Sequence, residues 1–379
     1  MKLPIHLLEE WMRRYYFSAP VDIGSSGVRN LSLGEVRERT GLTQPELDKL
    51  VFQDSQTRGG DALRQVIATQ WDSGDAGKIF VTNGSTEATF LAMNALLEAG
   101  DEVIVLAPCY QQLQSTAQTL GAGLTKWHLR PENSFRPDFK ELRTLISHRT
   151  KMIVINFPHN PTGVSITSVE QRELVELARE VDAYLLWDGV FGDITYDRQP
   201  LSSPTLQYER AVSIGSLSKT FGLPGLRVGW CIAQQEILDR FINLRDAITL
   251  HLSPLNELLA ARVIENAQEI LTSGTAHATT NLELLEKWVS DNPEVFDWIR
   301  PWGGVCAFPR LRTTTDAQPF CVELAEKHGV LLVPGSCFGY PAHVRLGFGG
   351  PTSALREGLK EVSDLVSKSS RVYGRRCYN

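Results

Sequence analysis

Short runs of apolar, often β-branched residues alternate with longer amphipathic stretches through the middle of the chain. This alternation is typical of repeated strand–helix units, which build a mostly parallel sheet between layers of helices. We therefore predict an α/β fold. The apolar runs predict strands at Lys78–Thr82, Glu102–Leu106, Met152–Asn156, Tyr184–Trp187, Ala211–Ile214 and Gly229–Ala233.

The pattern differs at both ends of the chain. Near the N-terminus, the stretch LLEEWMRRYYF mixes acidic, basic and apolar residues as a structural helix does. Beyond about Asp291, hairpin-like runs and an amphipathic stretch at Ser353–Ser367 predict a smaller α+β domain. A long helical stretch, Gln235–Glu265, is expected to connect this domain to the sheet.

These patterns divide the chain into three parts. We predict an N-terminal helix and segment over residues 1–45 that packs on the small domain and the active site. Residues 46–265 are expected to form the large α/β domain. Residues 266–379 are expected to form the small α+β domain.

Composition limits the classes of function. The 379-residue chain has a net charge of −6 and no basic run longer than the pair Arg375 and Arg376, so it lacks the positive surface of a nucleic-acid-binding protein. Its longest apolar runs are far shorter than the ~20 residues that cross a membrane, and its start lacks a signal-peptide pattern. We expect a cytoplasmic protein whose partners are small molecules or a second copy of itself.

The cysteines are scattered without a Cys-x-x-Cys pair, which argues against a zinc site and against a disulfide framework. We therefore expect no bound metal. Most of these residues should be small buried apolar side chains. They are Cys109, Cys231, Cys306, Cys321, Cys337 and Cys377.

Polar side chains follow four of the predicted strands. Tyr110 follows EVIVLAP, Asn160 follows MIVINFPH, Asp188 ends YLLW, and Lys219 follows AVSIGSLS. In open parallel sheets, ligands bind in the crevice beyond the carboxyl ends of the strands. These four side chains therefore predict a binding site at one edge of the sheet.

Each signal also has a purely structural interpretation. Ser85 and Thr86 begin a helix whose free N–H groups suit a phosphate, but an ordinary helix cap explains the pattern too. Lys219 is either a solvated loop charge or a buried amine that forms imines. Asp188 either caps the next segment or pairs with a buried cation. A pyridine cofactor gives all of them one explanation, because a carboxylate keeps a pyridine nitrogen protonated.

The motifs GSTEA, APCY, NPTG, SLSK and GLRVGW occur in this order along nearly the whole chain. Together they resemble the fold-type I aminotransferase superfamily, in its class I/II branch. The resemblance implies a pyridoxal 5′-phosphate (PLP) cofactor, an amino-acid substrate and a homodimer in which each subunit helps to build its neighbour's site. It also implies a large, mostly parallel sheet domain with a smaller α+β domain.

The resemblance also assigns roles to matching residues. Lys219 would hold PLP as a Schiff base and move the α-proton, while Asp188 would pair with the pyridine nitrogen. Arg345, in HVRLGFG, matches the arginine that binds a substrate α-carboxylate through a bidentate pair. The expected cofactor-binding residues are Ser85, Thr86, Tyr110, Asn160, Asp188, Phe191, Ser216, Ser218, Lys219 and Arg227.

Two positions depart from the aminotransferase pattern. The family usually has a tyrosine at the position of Phe191, and its hydroxyl contacts the phenolic oxygen of the cofactor. A partner-subunit tyrosine that usually reaches the phosphate is also missing, with Phe52 and Asp54 near its place. Both losses argue against ordinary transamination but leave PLP chemistry intact.

The N-terminal stretch LLEEWMRRYYFSAPVDIGSSGVRN resembles the PLP-dependent cyclases that form capreomycidine or enduracididine from a hydroxylated arginine. Such a substrate needs a carboxylate near the cofactor to bind its guanidinium, and Glu9 or Glu10 is the candidate. Solvated helix charges are the structural alternative. Ser25 and Ser26, with Gly27, are expected to line the same pocket. The expected substrate-binding residues are Glu9, Ser25, Gly27, Asn160 and Arg345.

The resulting hypothesis is a cyclase with Lys219 and Asp188 as its catalytic residues. Loss of a β-hydroxyl followed by guanidine attack gives a six-membered ring, whereas loss of a γ-hydroxyl gives a five-membered ring, and the sequence leaves both open. An ordinary amino-acid aminotransferase is the alternative. A non-catalytic PLP-fold protein is disfavoured, because the lysine, aspartate, asparagine and arginine of the family are all present.

Overall fold

A computed structural model describes residues 3–374, so Cys377, Arg375 and Arg376 lie outside the described residues. The helices are α1 Leu7–Tyr15, α2 Leu33–Thr40, α3 Gln44–Asp48, α4 Asp61–Trp71, α5 Ser85–Leu96, α6 Gln112–Thr119, α7 Phe139–Leu145, α8 Ser168–Glu180, α9 Gln235–Asp239, α10 Ile242–Ile248, α11 Pro254–Glu265, α12 Ala267–Asp291, α13 Gln318–His328 and α14 Thr352–Gly374. Across residues 3–374, no helix combines the length and the apolar character that spanning a membrane requires.

The strands include the six that the sequence predicts, each within two residues of its expected bounds. They are β1 Val21–Asp22, β2 Ile79–Thr82, β3 Glu102–Ala107, β4 Gly123–His128, β5 Thr150–Asn156, β6 Tyr184–Asp188, β7 Ala211–Ser216, β8 Gly229–Ile232, β9 Phe296–Asp297, β10 Cys306–Ala307, β11 Arg310–Leu311, β12 Val330–Leu331, β13 Val333–Pro334 and β14 Val344–Gly347.

Seven strands form the central sheet, in the order β2-β8-β7-β6-β5-β3-β4. All neighbouring pairs are parallel except those of β8, which runs antiparallel to both β2 and β7. The prediction of a mostly parallel sheet is therefore confirmed. β4 was not predicted, because it lies at the edge of the sheet and half of its residues are exposed, so it lacks an apolar run.

Both faces of the sheet are buried. Along β5, Ile153 and Ile155 belong to one apolar cluster, while Met152 and Val154 belong to a second cluster. Since side chains of a strand alternate between its two faces, the two clusters lie on opposite sides of the sheet. Helices cover both sides, which is the usual arrangement for a parallel sheet.

The prediction of one long helix over residues 235–265 is wrong. Three shorter helices, α9, α10 and α11, occupy this stretch. Leu250 has a φ of 57° between α10 and α11, a left-handed conformation that ends a right-handed helix. Pro254 then starts α11, at a position where its missing N–H costs nothing.

The N-terminal and C-terminal parts of the chain are joined by backbone pairing. β1 pairs in parallel with β12, and the indole N–H of Trp11 donates to the Leu332 carbonyl at 3.1 Å. The expected contact between the N-terminal segment and the C-terminal part is thus present. β13 and β10 flank β14, while β9 and β11 pair with each other, as the hairpin-like runs predict. The domain bounds at residues 45 and 265 stay a prediction.

The segment after β1 passes very close to β14. The N–H of Gly347 donates to the Ile23 carbonyl at 2.9 Å. A Cβ atom on Gly347 would lie only 1.7 Å from the Ser25 carbonyl oxygen, so any other residue would force the two backbones apart. The absence of a side chain at this glycine therefore fixes the path of residues 23–27.

The described cysteines are packed in the interior. Cys337 is half-buried, and the others are buried. This confirms the expectation that most cysteines act as small apolar side chains. The buried ones are Cys109, Cys231, Cys306 and Cys321.

A buried ion pair fixes the start of α5. Arg245 donates to Glu87 at 2.5 Å, and the arginine side chain is 0% exposed. The same carboxylate accepts hydrogen bonds from the Asn83 N–H and the Thr249 hydroxyl. The pair thereby ties the turn before α5 to the segment after α10.

Replacing Arg245 with methionine should lower the free energy of unfolding by about 3–5 kcal/mol, because it leaves the Glu87 carboxylate buried without its cation. The measurement is the shift of the urea unfolding midpoint. Arg143→Met is the matched control, since Arg143 is 51% exposed in its ion pair with Glu173. That exposed pair should contribute less than about 1 kcal/mol. Equal midpoint shifts for the two variants would contradict the role of the buried pair.

Candidate active site

The four polar residues predicted at strand ends follow adjacent parallel strands. Tyr110, Asn160 and Lys219 come after β3, β5 and β7, and Asp188 is the last residue of β6. In the sheet these strands lie side by side in the order β7-β6-β5-β3. Their carboxyl ends therefore meet along one edge, as expected.

Asn156, which the sequence reasoning missed, links two of these strand ends. Its side-chain amide donates to the Asp188 backbone carbonyl at 2.8 Å, and its amide oxygen accepts from the Asn160 N–H at 2.8 Å. Asn156 is the last residue of β5 and is buried. A polar residue that ends an apolar strand was the available signal.

The Asp188 carboxylate is buried, and its Oδ1 accepts from the Val190 N–H at 3.2 Å. Burial raises the pKa of Asp188 to about 6, although the hydrogen bond from Val190 and the charge of Lys219 act in the opposite direction. The sequence left open whether Asp188 caps the next segment or pairs with a cation. The hydrogen bond from Val190 shows that it does cap the turn that follows β6. The carboxylate also lies close enough to Lys219 for the two charges to interact.

Lys219 is a half-buried amine, not a solvated loop charge. Its Nζ donates to the Ser26 hydroxyl at 3.0 Å, and its backbone carbonyl accepts from the Val28 N–H at 2.9 Å. Burial lowers the pKa of Lys219, and the nearby Arg345 guanidinium lowers it further. Both effects increase the fraction of neutral amine.

The N-terminal segment reaches the lysine through Ser26, one of the two serines that were expected to line the pocket with Gly27. Ser26 contacts Lys219, whereas the N–H of Ser25 donates to the Asp22 carboxylate at 2.9 Å in a turn that also includes Gly24. Gly27 lies over the lysine loop, since a Cβ atom there would be 3.5 Å from the Ser218 carbonyl oxygen.

Arg345 is buried beside this segment. Its Nε and Nη2 donate to the Gly24 carbonyl at 3.2 and 2.9 Å, and its Nη1 donates to the Asn160 side-chain oxygen at 3.3 Å. The arginine, the asparagine and the N-terminal segment therefore form one hydrogen-bonded group. β14 supplies the arginine, so both ends of the chain contribute to the site.

A positively charged cradle lies at the start of α5. Gly84 has a φ of 82°, and a Cβ atom on it would lie 2.4 Å from Arg227 Nη2. Only glycine therefore lets the guanidinium lie against the turn that leads into Ser85 and Thr86. The hydroxyl of Ser216 accepts from the Ser218 N–H at 3.3 Å in the loop before Arg227.

Glu9 and Tyr110 are joined directly, although 101 residues separate them. The Tyr110 hydroxyl donates to Glu9 Oε1 at 2.8 Å. Burial raises the pKa of Tyr110, and the charge of Glu9 raises it further. Glu10, in contrast, is exposed. Of the two carboxylates that the sequence left open, Glu9 is the one that contacts a predicted site residue.

Two aromatic residues of the site have structural neighbours. Phe191 is buried and packs in the apolar cluster on one face of the sheet. His159, which precedes Asn160, has hydrogen bonds to the Pro108 carbonyl at 2.7 Å and to the Thr162 hydroxyl at 2.8 Å. Burial lowers the pKa of His159 to about 4, so the ring is neutral at neutral pH. The neutral His159 ring therefore joins the loop after β5 to the loop after β3. Its one N–H is used in the hydrogen bond to the Pro108 carbonyl.

The comparisons with known proteins place this site among PLP enzymes. The chain is 42% identical to the capreomycidine synthase of Streptomyces vinaceus over 99% of its own length and 96% of that protein. It is 28% identical to an arginine–pyruvate transaminase of Pseudomonas aeruginosa, covering 93% of each chain. Among solved structures, the PLP-dependent cyclase OrfR is 39% identical, with a TM-score of 0.93 over 97% of this chain and 98% of that chain.

The family model for aminotransferases of class I and II matches residues 50–362. This range includes the strand-end residues, the cradle at α5 and Arg345. The resemblance that the sequence motifs indicate is therefore confirmed, together with the fold-type I architecture and the PLP cofactor. The chain belongs to the class I and II aminotransferase family and is a PLP-dependent enzyme.

Proposed function

We propose that this enzyme is a cyclase that converts a β- or γ-hydroxylated L-arginine into a cyclic guanidino amino acid with loss of one water. The observation that carries the proposal is the Glu9 carboxylate, held by the Tyr110 hydroxyl at 2.8 Å beside a PLP-type site. A half-buried anion at this place suits a substrate whose side chain ends in a cation. The likeness to a capreomycidine synthase supports the same reaction class.

The residues present fit a PLP phosphate at the cradle beside α5. The first N–H groups of a helix are unpaired and attract anions, and Arg227 adds a positive charge next to Gly84. Ser85, Thr86, Ser216 and Ser218 add hydroxyl groups in the adjoining loops. The room left by the missing Cβ atom of Gly84 is what allows these donors to converge.

The opposite end of the site fits the cofactor ring. A protonated pyridine nitrogen suits the buried Asp188 carboxylate, because burial raises the pKa of this group to about 6 and a neighbouring cation offsets that cost of holding the charge. Asn160 would donate to the phenolic oxygen, and Tyr110 would stack on the ring. When bound, PLP forms an imine with an amine and acts as an electron sink for the charge left by removal of the α-proton.

The charges of the site match both ends of a hydroxyarginine. Arg345 would bind the α-carboxylate, and its existing hydrogen bond to Asn160 orients the guanidinium group. Glu9 would bind the substrate guanidinium with the carboxylate oxygen that Tyr110 does not use. Because Lys219 interacts electrostatically with both Arg345 and Glu9, a substrate anchored at these two points would have its α-carbon near the lysine amine.

Lys219 would move the protons of the reaction. Its lowered pKa favours the neutral amine, which can accept the α-proton, and Ser26 holds that amine in place. The resulting ammonium can return the proton to the departing hydroxyl, which leaves as water. A guanidine nitrogen then forms the new C–N bond at the carbon that lost the hydroxyl, and the proton that this nitrogen loses would return to the α-carbon through Lys219. The balance is one substrate to one product and one water, with no oxidant and no keto acid.

The position of the hydroxyl determines the ring. Bond formation at the β-carbon gives a six-membered ring, and bond formation at the γ-carbon, after an additional β-deprotonation, gives a five-membered ring. Phe191 lacks the hydroxyl that aminotransferases usually place near the phenolic oxygen. The cofactor should therefore be less well tuned for ordinary transamination.

The direct test is to incubate the purified enzyme with β- and γ-hydroxy-L-arginine in the absence of a keto acid. We expect a product one water lighter than its substrate, with the cofactor still in its PLP form. Mass spectrometry and the cofactor absorbance measure the two quantities, and NMR gives the ring size. Accumulation of pyridoxamine phosphate and a keto acid, without a dehydrated amino acid, would instead assign the protein to ordinary transamination.

The same assay tests the role of Glu9. Glu9→Gln should raise the KM for hydroxyarginine by about tenfold or more, because a charged hydrogen-bonded pair is replaced by a neutral one. Glu10→Gln is the matched control, since its side chain is exposed on the same turn. Equal KM values in all three proteins would overturn the assignment of Glu9 while leaving the cyclisation itself intact.

Asp188 predicts a pH effect in the cofactor-free protein. An acid whose folded pKa is raised to about 6 binds its proton more tightly than the unfolded chain does, so stability falls as the pH rises from about 4 to about 6. Asp188→Asn should abolish this loss and be more stable than the wild type at pH 7, by up to about 3 kcal/mol. Thermal unfolding across this pH range measures the difference.

With PLP bound, the wild type should instead be more stable than Asp188→Asn at pH 7, because the carboxylate can pair with the pyridinium and asparagine carries no charge to do so. An Asp188→Asn variant that is less stable than the wild type at pH 7 without cofactor would contradict the cost of burying the carboxylate.

We also propose a homodimer. Exposed apolar side chains occur both in the segment around residue 52 and at the end of α10 and just beyond it: Val51, Phe52, Ile248 and Leu250. The His251 ring and the Asp54 carboxylate join the two segments at 3.1 Å. Sedimentation should give twice the 42.2 kDa chain mass, and Phe52→Asp should shift the enzyme towards monomers. A monomeric wild type at micromolar concentration would refute this assembly.

A further inference from the structure

The start of α1 is capped by a residue from far along the chain. The first N–H groups of a helix lack partners within the helix, and His6, at the N-cap position, provides no side-chain cap. Instead, the Leu7 N–H donates to Gln111 Oε1 at 2.9 Å. The Gln111 amide also donates to the Ile5 carbonyl at 2.8 Å. One side chain thus satisfies both a donor and an acceptor at the entry to the helix.

Gln111 directly follows Tyr110, whose hydroxyl holds Glu9. Two consecutive residues therefore bind the start of α1. Gln111 binds backbone groups of Ile5 and Leu7, and Tyr110 binds the carboxylate of Glu9. The His6 ring adds a third contact, at 2.9 Å from the Ser115 hydroxyl of α6. The position of Glu9 over the site depends on this set of contacts.

We propose that Gln111 is a positioning residue that sets the preference of the enzyme for a guanidinium-bearing substrate, by holding residues 5–9 against the loop that carries Tyr110. This inference rests on the proposed function, in which Glu9 binds the guanidinium. Gln111 itself contacts no reacting atom in this scheme.

The far end of α1 has its own anchors. Trp11 donates to the Leu332 carbonyl at 3.1 Å, and the Tyr15 hydroxyl donates to Glu326 at 2.9 Å. Loss of Gln111 should therefore loosen only the first turn and leave the helix attached to the C-terminal part of the chain. This loosening should change the position of Glu9 and leave the phosphate site at the start of α5 unchanged.

The test compares two amino acids that differ in their side-chain ends. Binding of L-arginine and of L-norleucine to the PLP-loaded enzyme is followed by the change in cofactor absorbance. Gln111→Ala should weaken binding of L-arginine about tenfold, as expected for lost hydrogen bonds that place a charged group. L-Norleucine, which has no guanidinium, should bind as it does to the wild type.

Two further variants separate positioning from general damage. Gln118→Ala removes an exposed glutamine from α6 and should change neither affinity. Gln111→Glu keeps an acceptor for the Leu7 N–H and should retain more arginine preference than Gln111→Ala does. Amide hydrogen exchange of residues 7–9 reports the first turn directly and should accelerate only in the Gln111 variants.

The outcomes distinguish this inference from the proposed function. Unchanged arginine preference in Gln111→Ala, or unchanged exchange of the first turn, overturns the role of Gln111. If Gln111→Ala loses the preference but Glu9→Gln keeps it, the first turn positions a group other than Glu9. In that case the proposed role of Glu9 fails and the role of Gln111 stands. Equal weakening of both ligands also overturns the inference, because it indicates damage to the cofactor site.

Discussion

The parallel pairing of β3, β5, β6 and β7 is the constraint on which the active site depends. In the register of the sheet, Asn156 lies opposite Asp188, and Asp188 lies opposite Ile214. The strands therefore end at nearly the same level, and each delivers a different functional group to one edge. The Asn156 amide then joins β5 to the Asp188 carbonyl of β6 and also holds the Asn160 N–H of the loop that follows β5. A slip of one residue would turn each side chain to the opposite face.

Burial acts on the two principal ionisable groups in opposite directions. It raises the pKa of Asp188 and lowers that of Lys219, so both groups are pushed towards their neutral forms. In the placement proposed above, the cationic ring nitrogen of the cofactor would give Asp188 a charge partner, and the anionic phosphate would give one to Arg227. Part of the cost of burying the Asp188 carboxylate would then be recovered when the cofactor binds.

Local patterns in the sequence were enough to predict the central sheet and the residues at its edge. The apolar runs that become β2, β3, β5, β6, β7 and β8 are buried, so their composition reflects their environment. β4 escaped prediction because an exposed edge strand carries few apolar residues. The left-handed Leu250 before α11 has no local signature in its residue type, but Pro254 does mark the start of a new helix and was the signal that the prediction of one long helix overlooked.

Contacts between distant parts of the chain could not be predicted in the same way. Ser26 and Lys219 are separated by 193 residues, and Leu7 and Gln111 by 104. Serine and glutamine are ordinary surface residues, so nothing in their local sequence indicates a partner. The family resemblance indicated Ser25 and Ser26 together, and only the turn that Asp22 forms decides that Ser26 is the serine that contacts Lys219.

The close approach of Gly347 to residue 25 has a consequence for the evolution of new substrate ranges. The segment that carries Ser26 is attached through backbone atoms, with no space for a side chain at the crossing point. Helix α1, a few residues earlier, is attached mainly through side chains such as Trp11 and Tyr15. Mutations can therefore remodel the surface of α1 that carries Glu9 while the lysine keeps its serine contact. In the proposed function, the residue that selects the substrate and the residue that holds the lysine could therefore evolve independently, although both lie within the first 30 residues of the chain.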